Sequence, residues 1–197
     1  MKGTDGMSII LNNISKSFGN NRVLENFNLT VEDNSKLCIM GESGSGKTTL
    51  LNIIAGIVKP DAGTVNGTDK KKISFVFQDD RLVEELTVYR NIKLVCNKSV
   101  TKSVVSEALA DVGLSAELCE AKVSTLSGGM KRRIAILRAL LCDADIILTD
   151  EPTKGLDDEN KQIVIDYILN KTADKILLCV THDREEAEKI SSKIIVI

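Results

Sequence analysis

Between residues 41 and 49 the chain reads GESGSGKTT, preceded by the apolar run KLCIM and followed by LLNIIAGI. Gly41, four residues, then Gly46, Lys47 and Thr48 match the phosphate-loop spacing without deviation. Few segments constrain a fold more, because the loop works only where a buried strand runs through a glycine-rich turn into a helix. There the N–H groups of Gly41, Glu42, Ser43, Gly44, Ser45, Gly46, Lys47, Thr48 and Thr49 can form a concave nest around β and γ phosphates. Lys47 would extend a point charge to the same phosphates, and the Thr48 hydroxyl would complete a Mg²⁺ sphere that keeps several waters. Such a site needs an acid from a neighbouring strand, and IILTDE supplies one. Asp150 would hold the metal through water, leaving Glu151 to accept a proton from a water in line with the γ phosphate.

The rest of the chain fits the parallel α/β frame that this loop demands. Short apolar runs alternate with segments of helical period. SIILNNIS and VLENFNLTV read as strands, KLCIMG as a buried strand, GKTTLLNIIAGI as a helix ended near Gly56, KPDAG as a turn, and KKISFVFQ as the next strand. The periodicity then changes, with helices in TVYRNIKLVC and TKSVVSEALADVGL, so about 79–128 reads as a small helical insertion. Helix GMKRRIAILRALLC, strand DIILTDE, helix DENKQIVIDYILNK, strand KILLCVTH, helix REEAEKI and strand KIIVI complete the pattern. One domain over 8–197 is expected, with 1–7 a frayed or extraneous leader. The C-terminus, stopping in a strand, reads as minimal or truncated.

Composition narrows the function classes. A net charge of −2 and a pI near 5.6 give no global attraction to nucleic acid or an anionic membrane. No apolar run approaches the ~18 residues of a membrane span. Five cysteines without a C-x-x-C pair suggest reduced, mostly buried thiols in a cytosolic protein. The cation triplet Lys131, Arg132, Arg133 fans around a helix and is expected to form a solvated face, and DKKK at 69–72 a solvated turn.

A second anion-site candidate, STLSGGMKRR at 124–133, joins serine and two glycines to a helix start. Taken with GESGSGKTT, the FQ of Phe77 and Gln78, IILTDEP, GLD and THD, in that order, the chain resembles the nucleotide-binding subunits of ATP-binding cassette transporters. The resemblance covers about Ser8 to Ile197. It implies a P-loop NTPase core with a mostly parallel sheet, an N-terminal antiparallel β subdomain and the helical insertion. It also implies two copies packed head to tail, each signature capping the ATP in its partner's phosphate loop. Ser127, Gly128 and Gly129 would then contact the opposing γ phosphate, and Asp157 would lie near both sites. Gln78 would sense Mg²⁺ and the attacking water, His182, the only histidine, would contact the γ phosphate, and Phe18 would stack on adenine.

The family signature usually ends in glutamine, whereas Met130 stands here and cannot donate a hydrogen bond. That methionine, FQDDRL and EPTKGLD look most like the importer branch for nitrate, sulfonates and taurine. After FQDDRL the segment expected to dock a permease reads VEEL and is unusually acidic. What the resemblance implies is an ATPase powering transport from the cytoplasmic face through a separate permease, with a homodimeric partner and an extracytoplasmic solute-binding protein. The alternative, a soluble ATP switch on nucleic acid or ribosomes, goes with long coiled-coil insertions or tandem cassettes, and neither is visible in these residues. A P-loop kinase would leave LSGGM and His182 without a role.

Overall fold

The computed structural model describes residues 8–191 and 193–197; the leader expected at 1–7 lies outside them. The first layer is antiparallel: β1 (Ile9–Phe18) pairs with β2 (Asn21–Val31) on one side and β4 (Ala62–Asn66) on the other. Residues 62–66 lie partly within and just beyond the segment read as a turn. This edge strand is mostly exposed, with only Val65 half-buried, so it lacks the apolar alternation that marks a strand in sequence.

The second layer is a five-stranded parallel sheet in the order β5 (Ile73–Val76), β6 (Ile146–Asp150), β7 (Ile176–Val180), β3 (Lys36–Met40) and β8 (Lys193–Val196). Strand alternation sends side chains to two cores. Leu37, Ile39, Ile146, Leu148, Leu178 and Val180 pack with α1 (Lys47–Ile54) and the antiparallel sheet. Cys38, Ile147, Leu177 and Cys179 point the other way, toward the remaining helices.

Those helices are α2 (Val88–Lys93), α3 (Lys102–Asp111), α4 (Gly128–Leu140), α5 (Asp158–Lys171) and α6 (Arg184–Ile190). Each starts on a side-chain cap: Thr87, Thr101, Ser127, Asp157 and Asp183 accept hydrogen bonds from the first turn's N–H groups. Asp158 and Glu159 in the first turn of α5, and Lys171 in its last, suit the helix dipole. The acidic VEEL segment folds back onto α2 through the buried Asn91 amide, which accepts from Val83 N (2.7 Å) and donates to Val83 O (2.9 Å). Glu84 there pairs with Lys131 at 2.7 Å.

Of the cation triplet, two members depart from the expected solvated face. Arg132 and Arg133 are only 4% and 8% exposed. The Arg133 guanidinium donates to the carbonyls of Val112 (3.0 Å) and Gly113 (3.2 Å) and to Asn160 Oδ1 (2.7 Å), closing the end of α3 onto α5. Helix periodicity spreads three neighbours around the axis, but α4 is covered on most sides, so two cations meet backbone carbonyls instead of water.

Candidate functional site

The site forms where the parallel strands end. Gly41 to Thr49 follow β3, Gln78 follows β5, Asp150 and Glu151 close β6, and His182 follows β7. A cavity of about 530 Å³ is lined by Gly41, Glu42, Ser43, Gly44, Gly46, Lys47, Thr48, Thr49, Gln78, Asp150, Glu151 and His182. Val23, a residue of β2 with no motif to mark it, completes the lining. Phe18 is 52% exposed at the end of β1, near the Lys16 ammonium, and does not line this cavity.

Gly46 caps α1 at φ 102°, and a Cβ there would sit 2.9 Å from the Val23 carbonyl oxygen, so both backbone angle and space require glycine. The loop curls over Lys47, whose buried ammonium donates to Gly41 O (2.9 Å) and Glu42 O (2.6 Å). A phosphate at the loop could take that charge from two neutral acceptors.

Across the cavity Thr48 Oγ1 donates to Asp150 Oδ2 at 2.7 Å, although the residues are 102 positions apart. Burial pushes the Asp150 carboxyl above the usual carboxylate range, the Thr48 hydrogen bond offsetting part of the rise. Among the described residues no group of three or more His, Cys, Asp or Glu is placed to hold a metal. A hydroxyl, one buried carboxylate and the nearby Gln78 amide are hard oxygen donors, the sparse set that suits Mg²⁺ shared with phosphate oxygens and water.

Glu151 stands at φ 50°, in the left-handed region that non-glycine residues seldom adopt, with its N–H bonded to Val180 O at 2.8 Å. Burial pushes its carboxyl up, but Lys154 and His182 outweigh that and hold it below the ordinary glutamate value, so it is ionised at neutral pH. Oε1 lies 3.2 Å from His182 Nδ1, and Oε2 3.1 Å from Lys154 Nζ. Nothing in the motifs pointed to Lys154.

Beneath this pair lies Arg132, the residue that the helical reading most misplaced. Its Nε donates to Pro152 O (2.9 Å), one terminal nitrogen to Asp150 O (2.9 Å) and Glu151 O (2.6 Å), and the other to Phe77 O (2.6 Å). Asp80 Oδ1 sits 3.2 Å away as a counter-charge. One planar fork therefore ties the β6 acids to the segment carrying Gln78.

The signature lies elsewhere. Ser127 and Gly128 are exposed, Ser127 Oγ accepting from Met130 N at 3.3 Å. Gly128 and Gly129 line a second cavity of about 330 Å³ with Gln78, Asp79, Asp80, Arg132, Lys154 and Gly155. Among the described residues Gln78 alone lines both cavities. Asp157 caps α5 through Asn160 N (2.9 Å) and Asn160 Nδ2 (2.7 Å), bonds that hold its carboxyl below the usual range.

Near the His182 turn, Thr181 Oγ1 donates to the buried Glu186. Burial raises the Glu186 carboxyl above its ordinary value despite that bond. The folded chain thus keeps this proton to higher pH than the unfolded chain, and stability falls as pH rises from the ordinary glutamate value through the raised one. Glu186→Gln, which keeps the acceptor without the charge, is expected to raise Tm at neutral pH and to lose that advantage at pH 4, measured by thermal melts at both.

The family model described as ABC transporter matches residues 24–154. The sulfate/thiosulfate import ATP-binding protein CysA of Synechocystis sp. is 40% identical over 96% of this chain, which spans 58% of that protein. The ergothioneine transport ATP-binding protein EgtV of Helicobacter pylori is 33% identical, with 94% of each chain covered. The dimeric structure of the bacterial ABC transporter cassette MJ0796 superposes with a TM-score of 0.84 at 31% identity, covering 96% of this chain and 94% of that one. A dimeric post-hydrolysis state of the same cassette, bound to ADP and Pi, gives 0.82 at 32% identity and the same coverage.

Proposed function

The chain belongs to the ABC transporter family, and we propose that it is the ATP-hydrolysing subunit of an importer, working as a head-to-tail dimer with two composite sites. One observation carries the composite reading: Gly128 and Gly129 open onto a cavity that contains no phosphate-loop residue. A single chain has no means of closing both on one nucleotide, while a second copy related by a twofold axis would bring each signature to the other's loop.

Within one site the phosphate-loop N–H groups and Lys47 bind and orient the triphosphate, and Phe18, exposed outside the cavity lining, would stack on adenine. Mg²⁺, held by Thr48, Gln78 and, through water, Asp150, would neutralise charge on the β and γ phosphates. Glu151, kept ionised beside Lys154 and His182, takes a proton from the attacking water. His182, whose Nδ1 faces Glu151 Oε1 at 3.2 Å, orients that water and contacts the γ phosphate. Ser127, Gly128 and Gly129 of the partner complete the cage with backbone N–H groups at a helix start, and Asp157 approaches across the interface.

Import, rather than another ABC task, is supported by the names of the relatives, which act as import ATP-binding proteins for sulfate or thiosulfate and for spermidine or putrescine. Solutes of opposite charge among relatives agree with a cargo chosen by other subunits. Among the described residues no helix is long and apolar enough to cross a membrane. An integral-membrane permease would supply the path, with this chain on its cytoplasmic face and a solute-binding protein on the other.

Purified chain with Mg²⁺ and γ-labelled ATP is expected to release label as inorganic phosphate. Label recovered on a small-molecule acceptor would overturn the reading in favour of a kinase. Met130 is half-buried and packs on the helical core rather than lining either cavity. Met130→Gln is therefore expected to change turnover by less than about threefold, since backbone N–H groups and Ser127 provide the phosphate contacts; steady-state phosphate release measures it.

A further inference from the structure

Cys96 follows α2 and Cys142 follows α4, 46 residues apart, yet their Sγ atoms lie 3.0 Å from each other. Both thiols are half-buried, whereas Cys38, Cys119 and Cys179 are buried. Cys142 also lines a groove with Phe77, Arg81, Val95 and Arg138, so its sulfur can be reached from solvent. Its Sγ donates to Arg138 O at 3.1 Å.

We propose that Cys96 and Cys142 form a hydroperoxide-responsive dithiol that closes reversibly to a disulfide between α2 and α4. The two sulfurs need to approach by only about 1 Å to reach the ~2.05 Å of a bond. The pair is also chemically asymmetric. The hydrogen bond from Cys96 and the nearby Arg138 guanidinium lower the Cys142 thiol, while the same pairing and burial raise Cys96. Cys142, which opens onto the groove beside the Arg138 guanidinium, is the attacking thiol, and Cys96, in contact with it, the resolving thiol.

The Cys142 thiolate attacks one oxygen of hydrogen peroxide. The O–O bond breaks, hydroxide leaves and takes a proton as water, and Cys142 becomes a sulfenic acid. Cys96 then gives up its proton and attacks Cys142 Sγ, and the S–O bond breaks to release a second water. Two thiols and one peroxide yield one disulfide and two waters, and a thiol reductant reverses the change. The new bond would staple the segment after α2 to the end of α4. There the Arg138 guanidinium already holds Asp80 O (2.7 Å) and Arg81 O (2.6 Å), just beyond Gln78.

The test treats the native full chain with hydrogen peroxide, alkylates remaining thiols and maps peptides by mass spectrometry. The expected result is a loss of about 2 Da in a peptide pair joining Cys96 to Cys142, reversed by dithiothreitol. In Cys96→Ser, Cys142 is expected to be trapped by dimedone as the sulfenic acid. Complete alkylation of both thiols after peroxide, further oxidation of Cys142 without a linked peptide, or linkage to a different cysteine would each overturn the proposal.

Discussion

Glu151→Gln is expected to lower ATP turnover by about 10²- to 10⁴-fold while leaving nucleotide affinity nearly unchanged. The carboxylate is held ionised by Lys154 and His182 at the mouth of the phosphate-loop cavity, its backbone set in a left-handed conformation by the bond from its N–H to Val180 O. Glutamine keeps the size and one acceptor oxygen but cannot take a proton. Because Glu151 is one residue from the Thr48–Asp150 contact and does not share it, the pocket that binds nucleotide should survive. A kcat loss with little change in the dissociation constant of a fluorescent ATP analogue would separate proton transfer from binding. A loss of binding of similar size would assign Glu151 to nucleotide capture.

The second large effect belongs to Arg132. Arg132→Ala would strand the carbonyls of Phe77, Asp150, Glu151 and Pro152 around a void, with Asp80 short of its counter-charge. Removing one partner from such a buried ionic network costs about 4 kcal/mol. For a chain of this size that is a Tm fall on the order of 10 °C. Turnover measured well below the new Tm is also expected to fall, since the fork that joins the acids to the Gln78 segment is gone. Arg132→Lys keeps the charge but cannot reach three carbonyls in one plane, so it should recover only part of the loss. Arg132→Ala with wild-type stability would mean that the carbonyls find water instead.

These two residues mark what the sequence reveals and what it hides. Glu151 was legible because its chemistry is tied to position: an acidic pair ending an apolar strand, downstream of a phosphate loop. The same logic points to Lys47, Thr48 and Asp150, while Gln78 and His182 are named only through the family resemblance; all five line one cavity with Glu151. Arg132 was not legible. Its three-cation neighbourhood reads as a polar helix face, and its burial depends on carbonyls from two separate strand ends that meet only in the folded chain. Lys154 and Val23 carry no motif, and β4 is an exposed edge strand held by its ladder to β1 rather than by an apolar face. Where local periodicity and motif spacing coincide, the fold can be read; where a side chain's role is set by distant backbone, it cannot.

Sedimentation of Glu151→Gln protein with and without saturating Mg-ATP tests the shared site most directly. A chain whose signature caps its partner's nucleotide should sediment as a dimer with ATP and as a monomer without it. Adding Gly128→Asp should abolish the dimer without harming the fold, because a Cβ at Gly128 meets no atom within 4 Å, while its carboxylate would face the opposing phosphates. A Glu151→Gln chain that remains monomeric at saturating Mg-ATP would contradict the composite site.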